Sequence, residues 1–75
     1  MYTEQLKLQA KILAKHPKLR EGGILFFRVG EKYVCIGEFA PRAAQLVGRA
    51  EFSPNDIDAA LHALYTKGLI LAISE

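Results

Sequence analysis

The chain has no tryptophan, one methionine and a single cysteine, and only three prolines in 75 residues. A lone cysteine, Cys35, excludes an internal disulfide, so packing alone must hold the fold, and a reducing compartment suits it. The apolar runs fall far short of the roughly 20 residues that span a bilayer. The polar, charged N-terminus is not followed by the apolar stretch of a signal peptide. The expectation is a cytoplasmic protein that does not enter a membrane. Chemistry-bearing clusters are missing as well. His16 and His62 lack Cys, His or carboxylate company at metal-ligand spacing. Ser53 and Ser74 stand outside any nucleophile motif, and the glycines form no phosphate-binding loop. These absences argue against an enzyme and against any metal, cofactor or small-molecule substrate.

What is present is an apolar half, 51% of residues, enough for a folded core rather than a disordered chain. No repeat, low-complexity tract or long linker interrupts it, so residues 1–75 read as one module. The charge is uneven. Met1–Ile36 carries seven basic residues against three acidic ones, net +4, while Gly37–Glu75 carries three against five, net −2. A basic N-terminal half suits a phosphate-bearing partner.

Thr3 to His16 read as an amphipathic helix with Tyr2, Leu6, Ala10 and Leu13 on one face. Lys7, Lys11 and Lys15 recur at i, i+4 and i+8 on another. That stripe is either a solvated face or a row of phosphate contacts. Pro17 ends the helix, because the residue before a proline avoids the α region. Gly22-Gly23 marks a loop, and Ile24–Val29 is a strand-like run. Gly30-Glu31 is the turn of a β-hairpin, with Lys32–Ile36 as the return strand. Alternation places Lys32, Val34 and Ile36 on one face and Tyr33 and Cys35 on the other, Tyr33 and Cys35 toward the core. Phe39–Val47 reads as a helix stopped by Gly48, with Phe39, Ala43, Leu46 and Val47 as its apolar face. Ser53-Pro54-Asn55-Asp56 is a strong helix start. Ile57, Ala60, Leu61 and Leu64 then form a stripe, with His62 at its edge, and Gly68 ends that helix. Leu69–Ile73 is a final strand, and a short strand fits around Ala50–Phe52. The sum is an α+β fold: a small mixed sheet, made of the hairpin and the C-terminal strand, packed with about three helices.

One stretch is more specific. Phe27-Arg28-Val29-Gly30-Glu31-Lys32-Tyr33 resembles the N-terminal mismatch-recognition domain of the MutS family. In that family a helix and a proline precede an apolar strand ending Phe-Arg-x-Gly-Asp-Phe-Tyr-Glu. A Glu-Asp-Ala helix start and a helix ending near Leu-Gly follow. The matching pieces here are Leu6–Pro17, Ile24–Gly30, Tyr33, Gly37-Glu38, Ala40 and Ala43–Gly48. Near the C-terminus the family's Leu-x-x-Leu-x-x-x-Gly helix and Val-Ala-Ile-x-Glu strand correspond to Leu61, Leu64, Gly68 and Leu71-Ala72-Ile73-Ser74-Glu75. The likeness covers most of the chain in two blocks, with the family's middle portion shortened to Arg49–Ser53. It implies the fold of that domain and duplex DNA as partner.

The family's mismatch reader is a Phe-x-Glu pair, an aromatic wedge and a base acceptor on the return strand. Lys32 and Val34 stand at those positions. Lysine cannot stack in a base pair's place, and valine offers no acceptor. The family's ATPase, clamp and connector domains have no counterpart in these residues, which removes any nucleotide-driven repair cycle from the expectation. What the resemblance leaves is sequence-independent phosphate contact by Lys32, Arg28, Lys7, Lys11 and Lys15. Two other readings compete with it. One is a protein-interaction or regulatory module on the same fold, with a protein partner or a homodimer and no DNA. The other is a winged-helix DNA binder over Ser53–Ile70, whose recognition helix would lead with Asp56 and Asp58 against phosphate.

Overall fold

The computed structural model describes residues 2–74. The chain runs α1 (Thr3–Lys15), α2 (Lys18–Gly22), β1 (Gly23–Val29), β2 (Lys32–Val34), α3 (Phe39–Val47), β3 (Glu51–Phe52), α4 (Ile57–Thr66) and β4 (Ile70–Ser74). The four strands form one mixed sheet in the order β3-β2-β1-β4. β1 is the central strand, antiparallel to β2 and parallel to β4. The α+β class, the hairpin and the C-terminal strand match the sequence reading. The short strand expected around Ala50–Phe52 is β3, whereas the return strand stops at Val34 rather than Ile36, and Gly22-Gly23, expected as a loop, is the direct passage from a second short helix, α2, into β1.

The hairpin turn explains its own sequence. Val29 pairs with Lys32, leaving Gly30 and Glu31 as a two-residue loop. Gly30 has φ +65° while no non-glycine residue among those described has positive φ. Positive φ at the first central position alone is the pattern of a type II′ turn, which places glycine there.

Strand register sorts the side chains onto two faces, because cross-strand partners share a face. Leu25 pairs with Ala72, and Phe27 with both Ser74 and Val34. These residues, with Gly23 and Ile70, form the face that α1 covers. Ile24 and Phe26 point the other way, toward α3 and α4. There Phe26 meets Phe52 edge to face, ring centroids 5.7 Å apart, a geometry worth about 1 kcal/mol beyond burial. The buried side chains join in one cluster, with Ile24, Phe26, Phe39, Ala43 and Leu64 fully enclosed.

The helix starts and faces refine the sequence reading. The α4 start works as the Ser-Pro-Asn-Asp motif implies: the Ile57 N–H bonds the Ser53 carbonyl at 3.0 Å, and the Asp56 N–H bonds Ser53 Oγ at 3.2 Å. The regular helix begins only at Ile57. On α1 the buried residues are Gln9 and Leu13, while Leu6 is 47% exposed and Ala10 is exposed. The expected Tyr2-Leu6-Ala10-Leu13 face is therefore rotated. The rotation brings Gln9 inward, where its Nε2 donates to the Ile36 carbonyl at 3.3 Å. His62, expected at the edge of the buried stripe, is exposed.

Pro17 acts less as a terminator than as a joint. It ends α1 and caps α2 with φ −62°, the value its ring enforces. Arg42 on α3 holds the other end of α2, where it passes into β1. It donates to the carbonyls of Arg20 at 2.6 Å, Gly23 at 2.7 Å and Leu19 at 3.2 Å. Its guanidinium also lies 5.6 Å from the Phe39 ring centre, within cation–π range. Gly23 sits where α2 passes into β1. A Cβ there would lie 2.7 Å from Leu19 Cδ2 and 2.8 Å from the Ile70 carbonyl oxygen, so only glycine lets the central strand and β4 approach.

Candidate nucleic-acid interface

The five cations expected to meet phosphate fall into three places. Lys7, Lys11 and Lys15 stand exposed along α1 and make no ion pair with any described residue. Lys32 lies at the hairpin tip on the α1 side of the sheet, its side chain 69% exposed, with Nζ 3.8 Å from Glu51 Oε1. Arg28 pairs in register with Tyr33 and so belongs to the opposite face. The sheet thus separates Arg28 from the four lysines.

The second reader position is closed. Val34 is 1% exposed, packed on the α1 side beside its partner Phe27. Tyr33, expected to be the buried residue of the pair, is the less enclosed of the two: it is half-buried and faces Phe52 across the strands. The sheet is covered on both faces, so alternation does not separate a wet side from a dry one.

Two residues of α1 help to build something the sequence reading did not single out. Lys11 and Lys15 line a groove of about 940 Å³ that runs between the end of α1, the α1–α2 joint and β4. Its floor is apolar, with Leu25, Ala72 and Ile12, and its rim carries Lys11, Lys15 and Lys18. No acidic residue is among the described residues that line it. Leu8, Ile70 and Ile73 also line it and remain 40%, 49% and 44% exposed. The available signal was Leu8, an apolar residue outside the expected helix face, together with Lys18 just past the three-lysine stripe.

Cys35 is 4% exposed. Burial pushes its thiol from the ordinary 9.0 up to about 12, which keeps it protonated and poorly nucleophilic at neutral pH. Among the described residues, no group of three or more His, Cys, Asp or Glu is placed to hold a metal ion. No helix among them is long and apolar enough to cross a membrane. No protein-family model matches the chain, and no curated protein matches it.

Proposed function

We propose that this chain is a non-catalytic DNA-binding module, akin to the MutS mismatch-recognition domain that its sequence resembles, which grips duplex DNA by its phosphates and does not read mismatches. The row Lys7, Lys11, Lys15 carries this reading. Three exposed ammonium groups recur at successive turns of α1, each without an acidic partner among the described residues. Such groups act as hydrated point charges that replace counterions along a phosphate backbone. Lys32 contributes less, because Glu51 offsets its charge. With Val34 inside the core and Lys32 at the other reader position, the hairpin has neither wedge nor acceptor for a disturbed base.

Fluorescence anisotropy at low salt, with a perfect duplex and one carrying a single mismatch, tests the reading. Equal affinities are expected, with a log–log salt slope of about −3 for three phosphate contacts. The Lys7→Glu, Lys11→Glu, Lys15→Glu triple variant should lose the complex. No complex at roughly 100 µM protein, weaker than ordinary non-specific binding, or a clear preference for the mismatch, would overturn it.

A second reading, a protein-interaction module without DNA, is favoured by the groove beside β4, whose apolar floor suits a polypeptide better than a phosphate backbone.

A further inference from the structure

We infer that the groove between α1 and β4 is a docking site for an extended peptide segment of alternating apolar and acidic residues, which adds to the sheet as a fifth strand along β4. The inference rests on the protein-interaction reading, and it shares Lys11 and Lys15 with the row proposed to meet DNA.

Three observations converge on this occupant. β4 ends the sheet, with β1 on one side and no strand among the described residues on the other. A strand in that position presents unpaired N–H and C=O groups along its free side, and proteins usually blunt such an edge with a charge, a proline, a bulge or a very short strand. The described β4, Ile-Leu-Ala-Ile-Ser over residues 70–74, has none of these. An added strand would find main-chain partners there, and its alternate side chains would enter the groove.

The groove then selects the side chains. Its floor, with Leu25, Ile12 and Ala72, favours an apolar residue, and the exposed Ile70 and Ile73 would be covered by a neighbour. The rim is of one sign. Lys11, Lys15 and Lys18 line it without a described carboxylate among them. That charge disfavours a second copy of this chain as the added strand, because antiparallel β4–β4 pairing about a two-fold axis would bring two such lysine clusters toward one interface. It favours carboxylates on the incoming segment, which would steer its approach and set its orientation.

The probe is a capped peptide of alternating valine and glutamate, with a valine–lysine peptide of equal length as its control. Isotope-labelled protein is titrated with each and followed by amide NMR. The expected result is saturable shifts in the Ile70–Ser74 amides and in α1 with the glutamate peptide only. Lys11→Glu with Lys15→Glu should weaken it about tenfold or more and give the valine–lysine peptide affinity in its place. Ile70→Ser, on the groove face in register with Gly23, should also weaken the peptide while leaving DNA binding unchanged. Equal binding of both peptides, or shifts that avoid β4, would overturn the inference while leaving the interaction reading standing. Concentration-dependent dimerisation through β4, with no peptide bound, would replace the acidic partner by a second copy and overturn it as well. A strictly monomeric protein that binds neither peptide would overturn both.

Discussion

The two edges of the sheet are built to opposite rules. The β3 edge is two residues long and surrounded by charge. Glu51 lies in it, Lys32 is 3.8 Å from Glu51, and Arg49 pairs with Asp56 at 3.2 Å just beyond. Pro54 follows two residues after the strand. The β4 edge is five residues long in its described part, apolar and uncharged, and it borders an apolar groove with a lysine rim. A short, charged edge resists pairing with another chain, and a flat apolar one invites it. The contrast is why the proposed binding falls on the α1–β4 side and the β2–β3 side is the sealed one, although the hairpin tip carries the motif that the sequence makes most conspicuous.

The sharpest way to break this comparison is at the seam that creates the open edge. Gly23→Ala puts a methyl against the Ile70 carbonyl and Leu19. Backbone must then move, at about 3 kcal/mol, the upper end of overpacking costs, and urea unfolding should show the loss in its midpoint. An unchanged midpoint would mean that β4 is not held as described. Next in size is Arg42→Ala. It strips a charged donor from three carbonyls at the α2–β1 joint and should cost about 2 kcal/mol, with amide protection lost first around Leu19–Gly23.

The sealed side has its own signature in Cys35, whose N–H bonds the Ala50 carbonyl at 2.8 Å and extends the β2–β3 contact. Its thiol is raised to about 12 in the fold. A group whose neutral form is favoured by folding keeps its full contribution below its ordinary value and loses it above. Stability should therefore fall between pH 9 and 12 by roughly 1 kcal/mol per pH unit. Cys35→Ala should lack this extra slope when unfolding is compared across that range. The smallest effect is Lys32→Ala. A pair 69% and 59% exposed at 3.8 Å contributes at most a few tenths of a kcal/mol. The variant should leave the thermal midpoint in place and lower DNA affinity less than Lys11→Ala does.

Much of the fold was legible because its signals are local. Gly30 fixes the hairpin turn, Phe39–Val47 is recovered at both ends, and Ser53 starts the turn into α4. The unread parts depend on distant partners. Five residues, Lys18–Gly22, are too few to show helical periodicity. The rotation of α1 turns Gln9 inward to bond Ile36, 27 positions away, and no apolar pattern encodes that bond. The parallel pairing of β1 with β4 joins the chain's middle to its end, so the groove came into view only once both were placed. For the candidate site, composition and spacing singled out the α1 lysines. They gave no sign that two of them rim a groove, or that Val34 lies inside the core while Tyr33 stays half-exposed.

The most direct test of where this molecule binds is an amide NMR map taken on one labelled sample, first with duplex DNA at low salt and then, on a fresh aliquot, with the valine–glutamate peptide. The account predicts that DNA perturbs the Lys7–Lys15 face, that the peptide perturbs Ile70–Ser74 and the adjoining end of α1, and that Val34 and β3 stay silent in both. Perturbations concentrated on Arg28–Tyr33 and Glu51–Phe52, with α1 and β4 unchanged, would contradict it.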